Sequence, residues 1–272
     1  MPEENSVKEI YNNAKLFLLE RIPSKQRNEI LDDYLELPDG SAEPVEKCIL
    51  FESILRSAQN ANMKTGVIGD SIDGVHRLGK ILFDFDPERT LEAYAGRAEN
   101  LLSDIKNKLK PRGKFRNEPR SLWPKYCKTI LSSATFLSQF QSGEEFYQWA
   151  NLLYRNQKTM PALPMIIDAE IEGIGYTLAC DFLKELGFIE YGKPDTHIIE
   201  IFIGIGLSEG KPSPYQVQKI ISRIAESAKV SPYNVDKLFW LIGSGKFYKH
   251  THLGNGGKIG SLKQEYIDYV NA

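Results

Sequence analysis

The sequence predicts an all-α fold, and three observations carry that reading. Apolar residues recur at helical spacing through almost every long stretch. No segment alternates apolar and polar residues as a half-buried strand does. Glycine and proline clusters punctuate the helical runs. The chain has 272 residues, 42% of them hydrophobic and 26% charged, which is ordinary for a globular protein able to bury a substantial core.

Taken in order, Ser6-Val7-Lys8-Glu9 forms a capping box that starts a helix running to about Glu20. Ser24 is placed to cap a second helix, which ends before the turn signal Pro38-Asp39-Gly40. From Val45 to Asn62 the run is helical, with Ile49, Leu50, Ile54, Leu55 and Ala58 on one side. Phe83 to Arg89 is a loop into the next helix, with Pro87 in its first turn, and Ala93 to Leu109 is again helical. Lys110 to Arg116 breaks regular structure. Trp123 to Tyr154 is helical with a break around Gln141-Ser142-Gly143. Met165-Ile166-Ile167 opens another helix, and Gly173-Ile174-Gly175 turns the chain. Beyond it Leu178, Ala179, Phe182, Leu183 and Leu186 form one helical face, stopped by Gly187. Ile198 to Ile203 continues a helix ending near Gly204-Ile205-Gly206. After Pro212-Ser213-Pro214 come two further runs, Tyr215–Ala228 and Asn234–Ile242.

Composition narrows the function classes. No apolar run is long enough to cross a bilayer, and the acidic N-terminus lacks an apolar signal core. The expectation is a protein that is not secreted, with no membrane partner, placed in the cytoplasm (nucleoid) or nucleus. Cys48, Cys127 and Cys180 are scattered and odd in number, which suggests neither a disulfide framework nor a zinc cluster. The net charge of −2 hides an asymmetry: residues 1–46 hold five basic and eleven acidic side chains, and residues 106–128 hold nine basic and one acidic. Affinity for phosphate depends on the contacting face and not on the whole-chain sum, so nucleic acid stays open as a partner.

Several motif-like stretches carry no chemistry. Gly243-Ser244-Gly245-Lys246 lacks the earlier glycine and the following Ser/Thr of a phosphate-binding loop. Gly204-Ile205-Gly206 has no third glycine and no preceding strand. His250-Thr251-His252 has no neighbouring acid or cysteine in sequence to complete a metal shell. The four lysines and absent acids of Lys246–Lys263 could form a second phosphate-facing surface.

Within Pro164–Ile199 the hairpin reads Ile171-Glu172-Gly173-Ile174-Gly175, the turn after the second helix Gly187-Phe188, and an acid follows in Pro194-Asp195-Thr196-His197. With these motifs in this order the stretch resembles the helix-hairpin-helix DNA glycosylases of the endonuclease III and bacterial alkyladenine-glycosylase type. Glu172 stands where the family has proline. Arg56-Ser57-Ala58-Gln59-Asn60 resembles a further family segment, whose glutamine fills the gap left by an extruded base. An amide suits that task, because it can both donate and accept in place of the lost base pair.

The resemblance implies a two-lobed helical fold. One lobe is 45–190, carrying the helix-hairpin-helix (164–187), and the other is 1–44 plus 191–272. It implies a base-excision repair enzyme, acting as a monomer on double-stranded DNA with a damaged base. Asp195 is then the catalytic acid. Its N-cap position holds it rigidly, and the helix dipole is expected to keep it ionised. DNA contacts fall on Gln59, on Gly173, Ile174, Gly175, Tyr176 and Thr177 of the hairpin, and on Lys110, Arg112, Lys114 and Arg116 of the basic loop. Two glycines let the hairpin turn, and its second helix should present free amides to a phosphate. No cofactor is required. A structural Na+ or K+ is implied on the carbonyls of Ala169, Ile171 and Ile174, and no iron–sulfur cluster, since no cysteine follows Cys180.

Bifunctional relatives carry a lysine four residues after the first hairpin glycine, and here that position is Thr177, which cannot form an imine. The expectation is therefore a monofunctional glycosylase. Lys184 should face away from the reaction, and Lys193 is the nearby alternative for a lyase with a relocated lysine. The competing class is a non-enzymatic helix-hairpin-helix DNA-binding protein, which would need neither Asp195 nor Gln59. His197 reads as a packing residue. Trp123, Trp149, Tyr176 and Trp240 are candidates to stack on a flipped base.

Overall fold

The computed structural model describes residues 4–38, 42–60 and 67–272, with side chains from residue 9 onward. The Ser6 side chain, Asp39, Gly40 and Asn62 lie outside the described residues. The elements are helical, with two isolated bridges at Lys246, Gly254 and Lys258 and no strand among the described residues. The chain is all-α. None of the described helices is long and apolar enough to cross a membrane.

Among the described residues the α-helices are, in order, α1 (Glu4–Arg21), α2 (Arg27–Leu35), α3 (Lys47–Ala58), α4 (Val67–Ser71), α5 (Pro87–Tyr94), α6 (Ala98–Asp104), α7 (Leu122–Leu137), α8 (Gly143–Tyr154), α9 (Ala162–Glu170), α10 (Tyr176–Glu185), α11 (Thr196–Gly204), α12 (Pro214–Ala228), α13 (Pro232–Ser244) and α14 (Lys263–Asn271). A 3-10 turn at Val75–Lys80 and a π turn at Ile105–Leu109 complete them. They fall into two compact units, Met1–Asp39 with Gly187–Ala272, and Gly40–Leu186.

In the first unit α1 lies along α12, and α13 packs on α2, α11 and α12. Its core is aliphatic and aromatic, with Phe17, Tyr34, Phe202, Phe239, Phe247 and Tyr266 fully enclosed. Helices α12 and α13 begin with proline behind a serine capping box, Ser213/Gln216 and Ser231/Asn234. Each box satisfies two end amides and fixes where the helix starts. In the second unit α7 is the central element, touching α3, α5, α6 and α9. It buries Trp123, Cys127, Ile130, Ala134 and Leu137.

Three boundaries depart from the sequence reading, and some short elements are new. Ser24 does not cap α2: its Oγ accepts from the Gln26 amide one turn early, and Gln26 is the cap residue. The run Ala93–Leu109 is broken, because Ala95 and Gly96 both adopt left-handed backbone (φ 45° and 70°) between α5 and α6. The α3 helix stops at Ala58, ahead of the expected end. Helix α14 and the short turns between 67 and 80 were not anticipated; short segments give too few residues for a period to register.

Candidate active site and nucleic-acid interface

Asp195 is the N-cap of α11. Its Oδ1 accepts from the amides of His197 (2.9 Å) and Ile198 (3.2 Å), so one oxygen makes both capping bonds and Oδ2 is not engaged by the cap. The loop before it is clamped from α12: the buried Gln218 accepts from the Gly192 amide at 3.2 Å and donates to the Glu190 carbonyl at 3.2 Å. Burial pushes the Asp195 carboxyl above its ordinary range, and the nearby carboxylate of Asp236 pushes the same way. The Ile198 amide, Lys193 and His197 pull it down and lose. Desolvation thus disfavours the charged form more than the capping amide and the neighbouring cations favour it. A rigid carboxylate with raised proton affinity is suited to act as a base.

Asp236, buried on α13, is the residue that sequence reasoning missed. The one available signal was an acid set among Val235, Leu238 and Phe239 in an apolar helix. His197 packs as expected: a Cβ at Gly243 would stand 2.6 Å from His197 Cβ, so the absent side chain on α13 makes room for it.

The hairpin joins α9 to α10. Ile171 and Ile174 are buried and pin it from beneath. Gly173 has φ +89°, which favours glycine, and a Cβ there would meet Thr129 Oγ1 on α7 at 2.5 Å. Gly175 has ordinary extended backbone (φ −83°, ψ 170°), and a Cβ there would meet only open space. Only the first glycine is therefore demanded by the turn. The amides of Gly173 and Gly175 make no hydrogen bond among the described residues. The first amide of α10 is not free, however, because Tyr176 N donates to Asp168 Oδ2 at 3.0 Å. The Tyr176 side chain is buried and Thr177 half-buried in the first turn.

The carbonyls assigned by resemblance to a monovalent cation differ in their engagement. That of Ile171 accepts from the Ile174 amide at 3.1 Å and keeps a second lone pair, while those of Ala169 and Ile174 receive no hydrogen bond among the described residues. Neutral oxygens at a turn suit a hard, weakly held ion, so these residues fit Na+ or K+. No cluster of three or more His, Cys, Asp or Glu side chains fit for a metal occurs among the described residues.

Gln59 lines a pocket of about 400 Å³ with Arg56, Gly69, Asp70, Asp73, Gly74, Val75 and Arg112. Its Oε1 accepts from the Gly69 amide at 3.2 Å, so half of the amide is already committed to the fold. In the basic loop Lys110, Arg112, Lys114 and Arg116 are all exposed. Arg112 is paired with Asp73 at 2.9 Å, and its amide donates to the Ser71 carbonyl, which ties the loop to α4. Phe115 stacks on Trp123 with ring centres 5.8 Å apart.

The other aromatic candidates divide by burial. Trp123 is enclosed, and Trp149 belongs to a cluster with Phe136, Phe140 and Phe146. Trp240 packs edge-on against Tyr248. Lys184, expected to face away, is buried on α10 beside Asp181 (3.4 Å) and Glu185 (3.6 Å). His250 does meet an acid, Asp33 at 3.1 Å, brought to it by the fold. In the Lys246–Lys263 tract, Lys249 donates to the Asp33 carbonyl and Lys263 pairs with Glu200, which leaves less charge for a phosphate.

No family model matches the chain, and no curated protein does. Among solved structures, the chain is similar to the 8-oxoguanine glycosylase/lyase of Methanocaldococcus jannaschii in complex with a 15mer DNA containing 8-oxoguanine. The two are 17% identical over 83% of this chain and 96% of that one, with a TM-score of 0.49.

Proposed function

We propose that the chain is a monofunctional base-excision DNA glycosylase, which extrudes a damaged base and hydrolyses its N-glycosidic bond. The observation that carries this is Asp195: one oxygen is fixed by two amides, the other is left outside the cap, and burial and Asp236 raise its proton affinity. In the reaction a water attacks C1′ and gives a proton to Asp195. The C1′–N bond breaks with its electron pair going to the base, which departs as an anion and takes up the proton that the water gave to Asp195. Positive charge developing on the sugar is stabilised by the same carboxylate.

The hairpin supports the reading from the other unit. The amides of Gly173 and Gly175 can donate to a phosphate, and the open space at Gly175 lets a backbone approach closely. The carbonyls of Ala169, Ile171 and Ile174 would hold a monovalent cation, which supplies positive charge at an otherwise acidic turn. Thr177 at the position of the lyase lysine leaves water as the nucleophile. A panel of duplexes, each with one damaged base, tests the proposal by release of free base. Release from at least one lesion is expected, and tight DNA binding with no release from any would leave a binding protein instead.

A further inference from the structure

We infer that the exposed face of α7 is a phosphate track for duplex DNA, and that Glu172 of the hairpin competes for it by pairing with Lys128. The inference rests on the proposed reading that DNA is the partner. Lys125 and Lys128 are three residues apart on α7, hence on one side of the helix, and both are exposed. About 4.5 Å of helix rise separates them, close to one nucleotide step of about 3.4 Å along the duplex axis. No acid occurs from Pro119 through Gly143, so nothing on α7 itself offsets these charges. Upstream the same stretch continues into Arg120 and Arg116, also exposed.

The lower end of this face is bolted to the hairpin. Ser132 Oγ accepts from the Glu172 amide at 3.0 Å and donates to the Lys128 carbonyl at 3.0 Å. Thr129 lies directly under Gly173. Lys128 Nζ is 3.2 Å from Glu172 Oε1, and both side chains are about half or more exposed, at 49% and 62%. An exposed pair of this kind is weak and is exchanged readily for another anion. A phosphate arriving at the Gly173 amide comes beside both groups: it gains Lys128 and meets the Glu172 carboxylate as a like charge. Lys125 makes no ion pair with any described residue and is available without exchange. The acid at the hairpin thus lowers affinity for any duplex without reading its sequence, and Lys128 is the group it masks.

Fluorescence anisotropy with an undamaged duplex tests this over a series of salt concentrations. Glu172→Gln is expected to tighten binding about two- to fivefold, the range that an exposed pair supports. Lys128→Gln is expected to weaken binding and lower the salt slope by about 0.9, one phosphate contact. In the Lys128→Gln background Glu172→Gln should give a smaller gain. Circular dichroism confirms that each exposed substitution leaves the fold intact. Unchanged or weaker binding by Glu172→Gln, or an unchanged slope for Lys128→Gln, overturns the inference while leaving the proposed function standing. A wild-type chain that does not bind duplex at all removes the proposed function and this inference with it.

Discussion

Replacing Asp195 with asparagine separates the structural from the chemical role of this side chain. Both capping bonds fall on Oδ1, so an asparagine with its carbonyl oxygen in that place keeps the His197 and Ile198 amides satisfied. Asparagine and aspartate are comparable caps, and α11 should therefore stay in place. What is lost is the charge facing the developing positive sugar. Removing one preorganised electrostatic partner costs about 10²–10³ in rate, or about 2.7–4 kcal/mol of transition-state stabilisation.

The stability effect has the opposite sign. The folded pKa of Asp195 is raised, so the folded state holds the proton more tightly than the unfolded chain. Stability from this group is therefore present at low pH and declines as pH rises from the ordinary carboxylate value through the raised one. Above the ordinary carboxylate range the cost of ionising this buried side chain opposes folding, and the amide removes that penalty. The variant forgoes a helix-dipole attraction of about 0.3–1 kcal/mol, which offsets part of the gain. The expected result is a melting temperature at or above wild type at pH 7, unchanged duplex binding and excision reduced by at least two orders of magnitude. Single-turnover base release, anisotropy and thermal melting measure the three. Wild-type excision by Asp195→Asn would refute the assignment, and an unfolded variant would show that the cap tolerates no amide.

The same raised carboxyl sets the pH dependence: excision should climb through a limb above the ordinary carboxylate range, and Asp236→Asn should move that limb to lower pH by removing a neighbouring negative charge. A limb unmoved in that variant would show that burial alone sets it. The two hairpin glycines should behave oppositely. Gly173→Ala should lose about 1–2 kcal/mol of stability in denaturant titrations, from left-handed strain and the contact with Thr129 Oγ1. Gly175→Ala should melt like wild type yet bind duplex more weakly, because its methyl group fills the space a phosphate would approach. Equal melting of both variants would contradict the geometry.

What was legible in the sequence is what local chemistry dictates. The Gly173–Gly175 turn, the Gly187 stop and the Asp195 cap depend on residues within one helical turn of each other, and all three appear at those positions. The break at Ala95–Gly96 was hidden because an alanine adopting left-handed backbone carries no warning in its identity. Asp236 beside Asp195 arises from packing between elements distant in sequence, and Gly69 under the Gln59 amide from a contact ten residues on, beyond the reach of a single helical turn. So does the burial of Lys184, since periodicity places it on a helix without saying what covers that side. The charge count located the basic stretch 106–128, but only the helix geometry of α7 distinguishes Lys125 and Lys128 from the loop before them.

The most direct test is single-turnover reaction with the released base quantified and borohydride present. Hydrolysis by water predicts free base in step with abasic sites, an uncleaved strand and no protein–DNA adduct, all abolished together in Asp195→Asn. A covalent adduct that disappears in Lys193→Ala and persists in Thr177→Ala would contradict it, and would make the chain a lyase with a relocated lysine.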